Sequence, residues 1–199
     1  MTVPTTIVCL GDSITGACDL ALFIKWPQIL DLLCAAACGR ERVRVLNRGI
    51  AGDTTAGMLA RLERDVLVNQ PAIVVLLAGG NDAGQQVPRA TTAANLAEIT
   101  RRVGAGGARI LGLQYHVIVH PEKPEAAWRH LPANNDLLAA AVTAAGGRVA
   151  DTGAAMAASP LRPAELVGAD AVHLNPGGEL IYAWEVFSAL KQAGWLPTA

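Results

Sequence analysis

The sequence predicts a single α/β domain over residues 1–199. Its expected form is a flavodoxin-like α/β/α sandwich around a five-stranded parallel sheet ordered 2-1-3-4-5. Three observations lead there. Short runs rich in Val, Ile and Leu alternate with longer stretches of helical period. One run, Ile73-Val74-Val75-Leu76-Leu77, is apolar throughout, the pattern of a strand covered on both faces. An apolar content of 52% against 17% charged suits one packed core. A chain of this size buries roughly 70% of its unfolded surface.

Each element has its own warrant. Residues 5–10 read as the first strand. Residues 23–37 read as a helix with Pro27 in its first turn, where the missing N–H is no loss. Residues 43–46 form the second strand, with Arg40, Arg42, Arg44 and Arg48 alternating around it. That strand lies at an edge in the expected order, where outward charge discourages edge pairing. Residues 55–68 are a helix striped by Met58, Leu59, Leu62 and Val66, with Asp53 or Thr54 as N-cap. Strand three spans 73–77, a helix 89–103, strand four 110–113, a helix 131–145, and strand five 149–150. Asn175-Pro176 opens the last helix as N-cap and N1. Leu180, Ile181, Trp184 and Phe187 are expected to form its apolar face. The connections 114–130 and 152–172 are long for this architecture, and long connections often carry function.

Several classes are excluded. A net charge of −1 offers no electrostatic footprint for nucleic acid, and no apolar run reaches a membrane span. The N-terminus lacks a basic n-region, so the chain reads as cytoplasmic. Cys9, Cys18, Cys34 and Cys38 contain no C-x-x-C pair. Cys34 and Cys38 share a helix face as core residues, and Cys18 reads as an alkylatable neighbour of the site. His116 and His120 form His-x3-His without a third ligand or a zinc-protease Glu, so no metal is expected. Gly11-Asp12-Ser13-Ile14-Thr15-Gly16 lacks the P-loop Lys. It also has Thr15 where a Gly-x-Ser-x-Gly elbow has its last glycine. Gly104-Ala105-Gly106-Gly107 follows a helix and precedes a strand, the wrong order for a dinucleotide fingerprint. Oligomeric state is not legible, although Trp195 near the chain end reads as exposed and suited to a contact.

The chemistry lies at the sheet's carboxyl edge, where such folds bind ligands. Of three serines, only Ser13 follows a strand inside a glycine-flanked turn. Of four histidines, only His173 has a carboxylate, Asp170, three residues before it. A hydroxyl, an imidazole and a carboxylate make a nucleophile, its base and the group that orients the base. Gly49-Ile50-Ala51-Gly52-Asp53 and Gly79-Gly80-Asn81-Asp82 follow strands two and three and can supply donors to an oxyanion. The 114–130 connection carries Tyr115, His116, His120 and Trp128, expected in the pocket wall. Asp12 and Val172, beside the nucleophile and the base, are further pocket candidates. Asp12, Asp53 and Asp82 otherwise read as loop-shaping residues without a chemical step.

Together the four segments resemble the SGNH, or GDSL, hydrolase family. Gly11-Asp12-Ser13-Ile14-Thr15 matches the first block and Asn47-Arg48-Gly49-Ile50-Ala51-Gly52-Asp53-Thr54 the glycine block. Ala78-Gly79-Gly80-Asn81-Asp82 matches the asparagine block, with Gly80 where Thr or another residue is frequent. Asp170-Ala171-Val172-His173-Leu174-Asn175 matches the last block. The resemblance implies that Ser13 attacks an acyl carbonyl, His173 is the general base and Asp170 orients it. It implies an oxyanion hole made of the Ser13 and Gly52 backbone N–H groups and the Asn81 amide. It calls for no cofactor, and for a small-molecule ester or thioester as substrate. With eight aromatic residues and no evident lid helix, a small-acyl carboxylesterase is the expected activity. A thioesterase, lysophospholipase or acyltransferase using the same triad is the alternative. A ligand-binding module on the same scaffold, marked by flavin absorbance, is a third reading.

Overall fold

The computed structural model describes residues 3–16, 24–116 and 128–198. Five parallel strands form one sheet in the order β2-β1-β3-β4-β5. They are β1 (Thr5–Gly11), β2 (Val43–Gly49), β3 (Ile73–Leu76), β4 (Arg109–Gln114) and β5 (Arg148–Asp151). The pairing register runs Ile7↔Val45 and Ile7↔Ile73, then Val74↔Ile110 and Gly112↔Val149. This is the expected order, and β2 and β5 are its edges.

Side-chain alternation divides the core into two faces, because successive residues of a strand point to opposite sides. Ile7, Cys9, Ile73, Val75, Leu111 and Leu113 pack on one face with α1 (Trp26–Cys38) and α7 (Pro176–Gln192). Val8, Leu10, Val74, Leu76 and Ile110 pack on the other. There they meet α2 (Thr55–Asp65), α4 (Arg89–Ala105) and α5 (Leu131–Ala144). The short helices α3 (Gly80–Gly84) and α6 (Thr152–Ala157) complete the set. No helix among the described residues is long and apolar enough to cross a membrane.

The differences from the sequence reading have local causes. α1 starts at Trp26, with Pro27 in its first turn and Lys25 extended as N-cap; Phe23 lies outside the described residues. α2 ends at Asp65, and a 3₁₀ turn at Leu67–Asn69 replaces its last residues. The 152–172 connection is not all loop. Asp151 accepts the Ala154 N–H at 2.9 Å and so caps α6. The Arg side chains on β2 and just before it are held by the protein itself: Arg40 by Asp31, Arg42 by the Thr198 carbonyl and Arg48 by the Asp65 carbonyl.

The largest correction concerns α7. Its buried face is Glu179, Tyr182, Ala183, Val186, Phe187 and Leu190, while Leu180 and Trp184 are exposed and Ile181 half-buried. The helix is apolar on both sides, so its hydrophobic pattern does not say which side faces the sheet. Trp195 is half-buried rather than exposed, with the Arg109 guanidinium over its ring at 5.4 Å. Cys9, Cys34 and Cys38 are buried free thiols, and Cys18 lies outside the described residues.

Candidate active site

Three loops after β1, β2 and β3 meet at the carboxyl edge of the sheet, and each is built by its own side chains. After β1 the chain turns tightly. Thr15 and Gly16 donate their N–H groups to the Asp12 carbonyl, and the Asp12 carboxylate accepts the Ile14 N–H at 2.9 Å. Ser13 stands on this turn. At the end of β2, Asn47 accepts the Gly49 N–H and donates to the Thr15 carbonyl, joining this strand end to the first loop. The Gly16 and Gly49 backbones touch, so that a Cβ on Gly49 would lie 2.1 Å from the Gly16 nitrogen. Gly52 follows with φ +76°, a conformation that glycine adopts without strain. After β3, Asn81 sits in the first turn of α3.

The fourth part is the loop before α7. It is cross-tied by the Val167↔Leu174 bridge and by the Gly168 N–H, which donates to the His173 carbonyl at 2.7 Å. One Asp170 oxygen accepts the N–H groups of Val172 and His173, both at 3.0 Å. The other lies 2.5 Å from His173 Nδ1. His173 Nε2 is 2.9 Å from Ser13 Oγ, across 160 residues of sequence. Burial opposes ionisation of Asp170, but the His173 and backbone hydrogen bonds outweigh it and hold the carboxyl at about 2.

Asn81 Nδ2 donates to the Asp53 carbonyl at 3.0 Å and to the Asp12 carboxylate at 3.2 Å. Its amide is thereby held beside Ser13. The backbone N–H groups of Ser13 and Gly52 have no acceptor among the described residues. The Asp12 carboxylate also accepts the Tyr115 hydroxyl at 2.8 Å. Burial is the largest influence on Asp12 and pushes it up to about 6, against the Ile14 and Tyr115 hydrogen bonds.

Around Ser13 opens a cavity of about 160 Å³ lined by Asp12, Ser13, Ile14, Gly80, Asn81 and Tyr115, and on the far side by Trp128, Asp170, Val172 and His173. Most sequence candidates thus meet at one place. Two do not line the cavity. Gly52 is exposed beside it, and His116 is buried behind the wall, against Val172 and Tyr182. The expectation that His116 faces the pocket is therefore corrected. Its ring lies between the Asp170–His173 loop and α7, with Nε2 on the Val172 carbonyl and Nδ1 on the Tyr182 hydroxyl. His120 lies outside the described residues, and no cluster of three metal-ligating side chains occurs among the described ones.

Sequence reasoning missed Arg61. Its buried guanidinium donates to the Asp53 carboxylate at 2.7 Å, the Arg48 carbonyl at 2.8 Å and the Gly11 carbonyl at 3.0 Å. One side chain therefore clamps the loops that carry Ser13 and Gly52. The available signal was an arginine beside the Met58–Leu62 stripe, eight residues after an aspartate. Asp82 acts likewise at α2 and α4, accepting from the Thr55 N–H and from the Thr55 and Thr92 hydroxyls. Asp53 and Asp82 thus match their reading as loop-shaping residues.

The family model described as "GDSL-like Lipase/Acylhydrolase family" matches residues 9–181, and the chain belongs to that family. Esterase TesA of Pseudomonas aeruginosa is 38% identical over 106 residues, 53% of this chain and 52% of that protein. An arylesterase of Vibrio mimicus is 30% identical over 112 residues, 56% of this chain and 54% of its own. These matches span about half the length of the curated relatives. Among solved structures, the acetylxylan esterase Axe2 of Geobacillus stearothermophilus aligns with a TM-score of 0.77 at 23% identity, covering 100% of both chains. LAE5, an α/β hydrolase from the metagenome of Lake Arreo, aligns at 0.78 and 21% identity, covering 100% of this chain and 99% of that one. The two structures share the fold.

Proposed function

We propose that this member of the GDSL-like lipase/acylhydrolase family hydrolyses carboxylic esters of small acyl groups through an acyl–Ser13 intermediate. The observation that carries the reading is one continuous line of contacts: Ser13 Oγ to His173 Nε2 at 2.9 Å, then Nδ1 to Asp170. A serine hydroxyl is a poor nucleophile until a base within hydrogen-bond reach removes its proton.

In the first half-reaction His173 Nε2 takes the Oγ proton as Oγ bonds to the ester carbonyl carbon. The carbonyl oxygen becomes an oxyanion, met by the Asn81 amide and the Ser13 and Gly52 N–H groups. Asp170, ionised far below neutral pH, keeps the proton on Nδ1 and stabilises the imidazolium. Collapse of the intermediate breaks the bond to the alcohol oxygen, which leaves with the proton from Nε2. In the second half-reaction His173 deprotonates water, the hydroxide attacks the acyl carbon, and Ser13 is released with its proton restored.

The small-acyl preference is supported by the size of the cavity. About 160 Å³ is below the ~300–1,000 Å³ range of drug-sized ligand pockets. Tyr115 and Trp128 stand in its wall, and Asn135 grips the Tyr115 backbone at both its N–H and its carbonyl. The test is a p-nitrophenyl ester series from acetate to palmitate, with acetyl and longer acyl thioesters beside it, on wild type and Ser13→Ala. The reading expects ester turnover that falls with chain length and drops by ~10³-fold or more in Ser13→Ala. Preference for thioesters or long chains would move the assignment to the thioesterase or lysophospholipase alternative. A folded Ser13→Ala variant with normal turnover would overturn it.

A further inference from the structure

His116 is the one buried histidine of the described residues whose two ring nitrogens are both engaged by the protein and neither by the pocket. Nδ1 lies 2.8 Å from the Tyr182 hydroxyl on α7, and Nε2 lies 3.1 Å from the Val172 carbonyl. The Tyr182 oxygen also accepts the His116 backbone N–H at 3.2 Å. A carbonyl can only accept, so Nε2 must carry the hydrogen. In a neutral ring Nδ1 then has only a lone pair, and the Tyr182 hydroxyl donates to it. Burial pushes His116 down to about 4, against the pull of the Val172 carbonyl, so the neutral ring holds through the neutral pH range.

The bond falls at a sensitive place. The Val172–His173 peptide is planar, with its carbonyl at one end and the His173 N–H at the other. His116 holds the carbonyl, and Asp170 Oδ1 holds the N–H at 3.0 Å. Two bonds on opposite ends of one rigid plane fix the direction in which the His173 side chain leaves the backbone. The preceding residue, Ala171, sits at φ +54°, a left-handed conformation that costs an alanine energy and persists only when neighbours enforce it. Without the tie to His116, the plane has one anchor and a strained neighbour.

We infer that His116 is a positioning residue: braced at Nδ1 by the Tyr182 hydroxyl, it donates its Nε2–H to the Val172 carbonyl and so sets the distance from His173 Nε2 to Ser13 Oγ. The inference rests on the proposed triad. It makes no contact with substrate necessary, and it joins β4, α7 and the His173 loop into one support.

The test uses p-nitrophenyl acetate turnover, with kcat and KM measured separately, and thermal melting as the folding control. His116 is replaced in two ways, because asparagine and glutamine mimic different ring nitrogens. His116→Asn keeps an acceptor near the Tyr182 hydroxyl but has no atom that reaches Val172. His116→Gln places an N–H donor near the Val172 carbonyl. Displacement of a reacting group by about 1 Å costs on the order of 10²-fold, so His116→Asn is expected to lose ~10–100-fold in kcat with KM little changed. His116→Gln is expected to recover about tenfold or more of that loss. A folded His116→Asn with wild-type kcat would overturn the inference, as would a loss carried by KM, or a His116→Gln no better than His116→Asn. If His116→Asn does not fold, His116→Phe decides. It keeps a ring in the space but has no N–H for the Val172 carbonyl, and an unchanged kcat there overturns the inference. Ser13→Ala is assayed in parallel: normal turnover in that variant defeats the triad itself, whereas an inactive Ser13→Ala beside a normal His116→Asn defeats only the positioning role.

Discussion

The Tyr115 hydroxyl donates to the Asp12 carboxylate at 2.8 Å, in a site where both side chains are buried. The residue before the serine is thus a buried acid facing a phenol and the Asn81 amide. Its carboxyl is raised to about 6, chiefly by burial. The sign follows from linkage. Between roughly pH 4 and 6 the folded chain keeps a proton that the unfolded chain releases. The neutral acid is tolerated at low pH, and the cost of burying its charge appears as pH rises through 6. A shift of this size is worth on the order of 3 kcal/mol. Asp12→Asn removes the charge and retains an acceptor for the Ile14 N–H. Its melting temperature should exceed that of wild type by ~5 °C at pH 8, and the gap should close near pH 4. Melts of both proteins from pH 4 to 9 check this; a gap that does not vary with pH would refute it.

A second buried charge lies farther from the serine. Lys25 pairs with Glu179, and the Trp26 N–H donates to the other carboxylate oxygen at 2.7 Å. The contact binds the first turn of α1 to the first turn of α7, six residues after His173. Burial raises the Glu179 carboxyl despite the lysine. Lys25→Met leaves that carboxylate without its counter-charge and should cost ~3–5 kcal/mol at pH 8. Protonation relieves the lone carboxylate, so the deficit should shrink as pH falls toward 5. Urea unfolding at the two pH values measures it.

Gly80 leaves room for Tyr115. A Cβ there would lie 2.9 Å from the Tyr115 ring and 3.1 Å from the Asp12 carboxylate. Gly80→Thr should therefore displace the ring, loosen the Asp12–Asn81 contact and cost ~1–3 kcal/mol of stability. The cavity wall changes with it, so relative turnover of acetate and butyrate esters should shift. Unchanged stability and chain-length preference would show that Tyr115 moves aside freely.

The strands and their order were legible because alternation and continuous apolar runs report burial directly. Ile73–Leu76 is buried on both faces, as its composition implies. The proposed triad residues Ser13, Asp170 and His173 are legible because they fall in blocks that match the family's motifs in order. What holds those residues in place is not. Arg61 looks like a solvated helix charge, since an arginine's partners here are the carbonyls of Gly11 and Arg48, and carbonyls carry no sequence signature. His116 stands out by type, but its side of the wall is not legible for the same reason: its acceptor is the Val172 carbonyl. The buried face of α7 is not legible because Leu180 and Trp184 leave its outer side as apolar as its inner side. Arg61→Lys tests the first of these. A lysine cannot reach Asp53 and both carbonyls with one rigid fork. The variant should lose stability by ~2–4 kcal/mol and turnover with it, because the Ser13 and Gly52 loops lose their common clamp.

In the proposed mechanism Asn81 is the residue whose contacts differ most clearly between ground state and transition state. Its amide nitrogen has two hydrogens, one on the Asp53 carbonyl at 3.0 Å and one facing the Asp12 carboxylate at 3.2 Å. The second contact is long for a charge-assisted bond, so that hydrogen can turn to an oxyanion at small cost. Asn81→Ala should lower kcat by ~10²–10³ with little change in KM, because the interaction forms as charge develops on the carbonyl oxygen. Asp170→Asn should behave differently. Asp170 is held near 2 and is ionised throughout the working range, so its loss removes the charge that stabilises the His173 imidazolium and should lower kcat at every pH from 6 to 9. Parallel pH–rate profiles of wild type, Asn81→Ala and Asp170→Asn on p-nitrophenyl acetate separate the two roles. A KM effect in place of a kcat effect for Asn81→Ala would remove it from the oxyanion hole and make it a ground-state binding group.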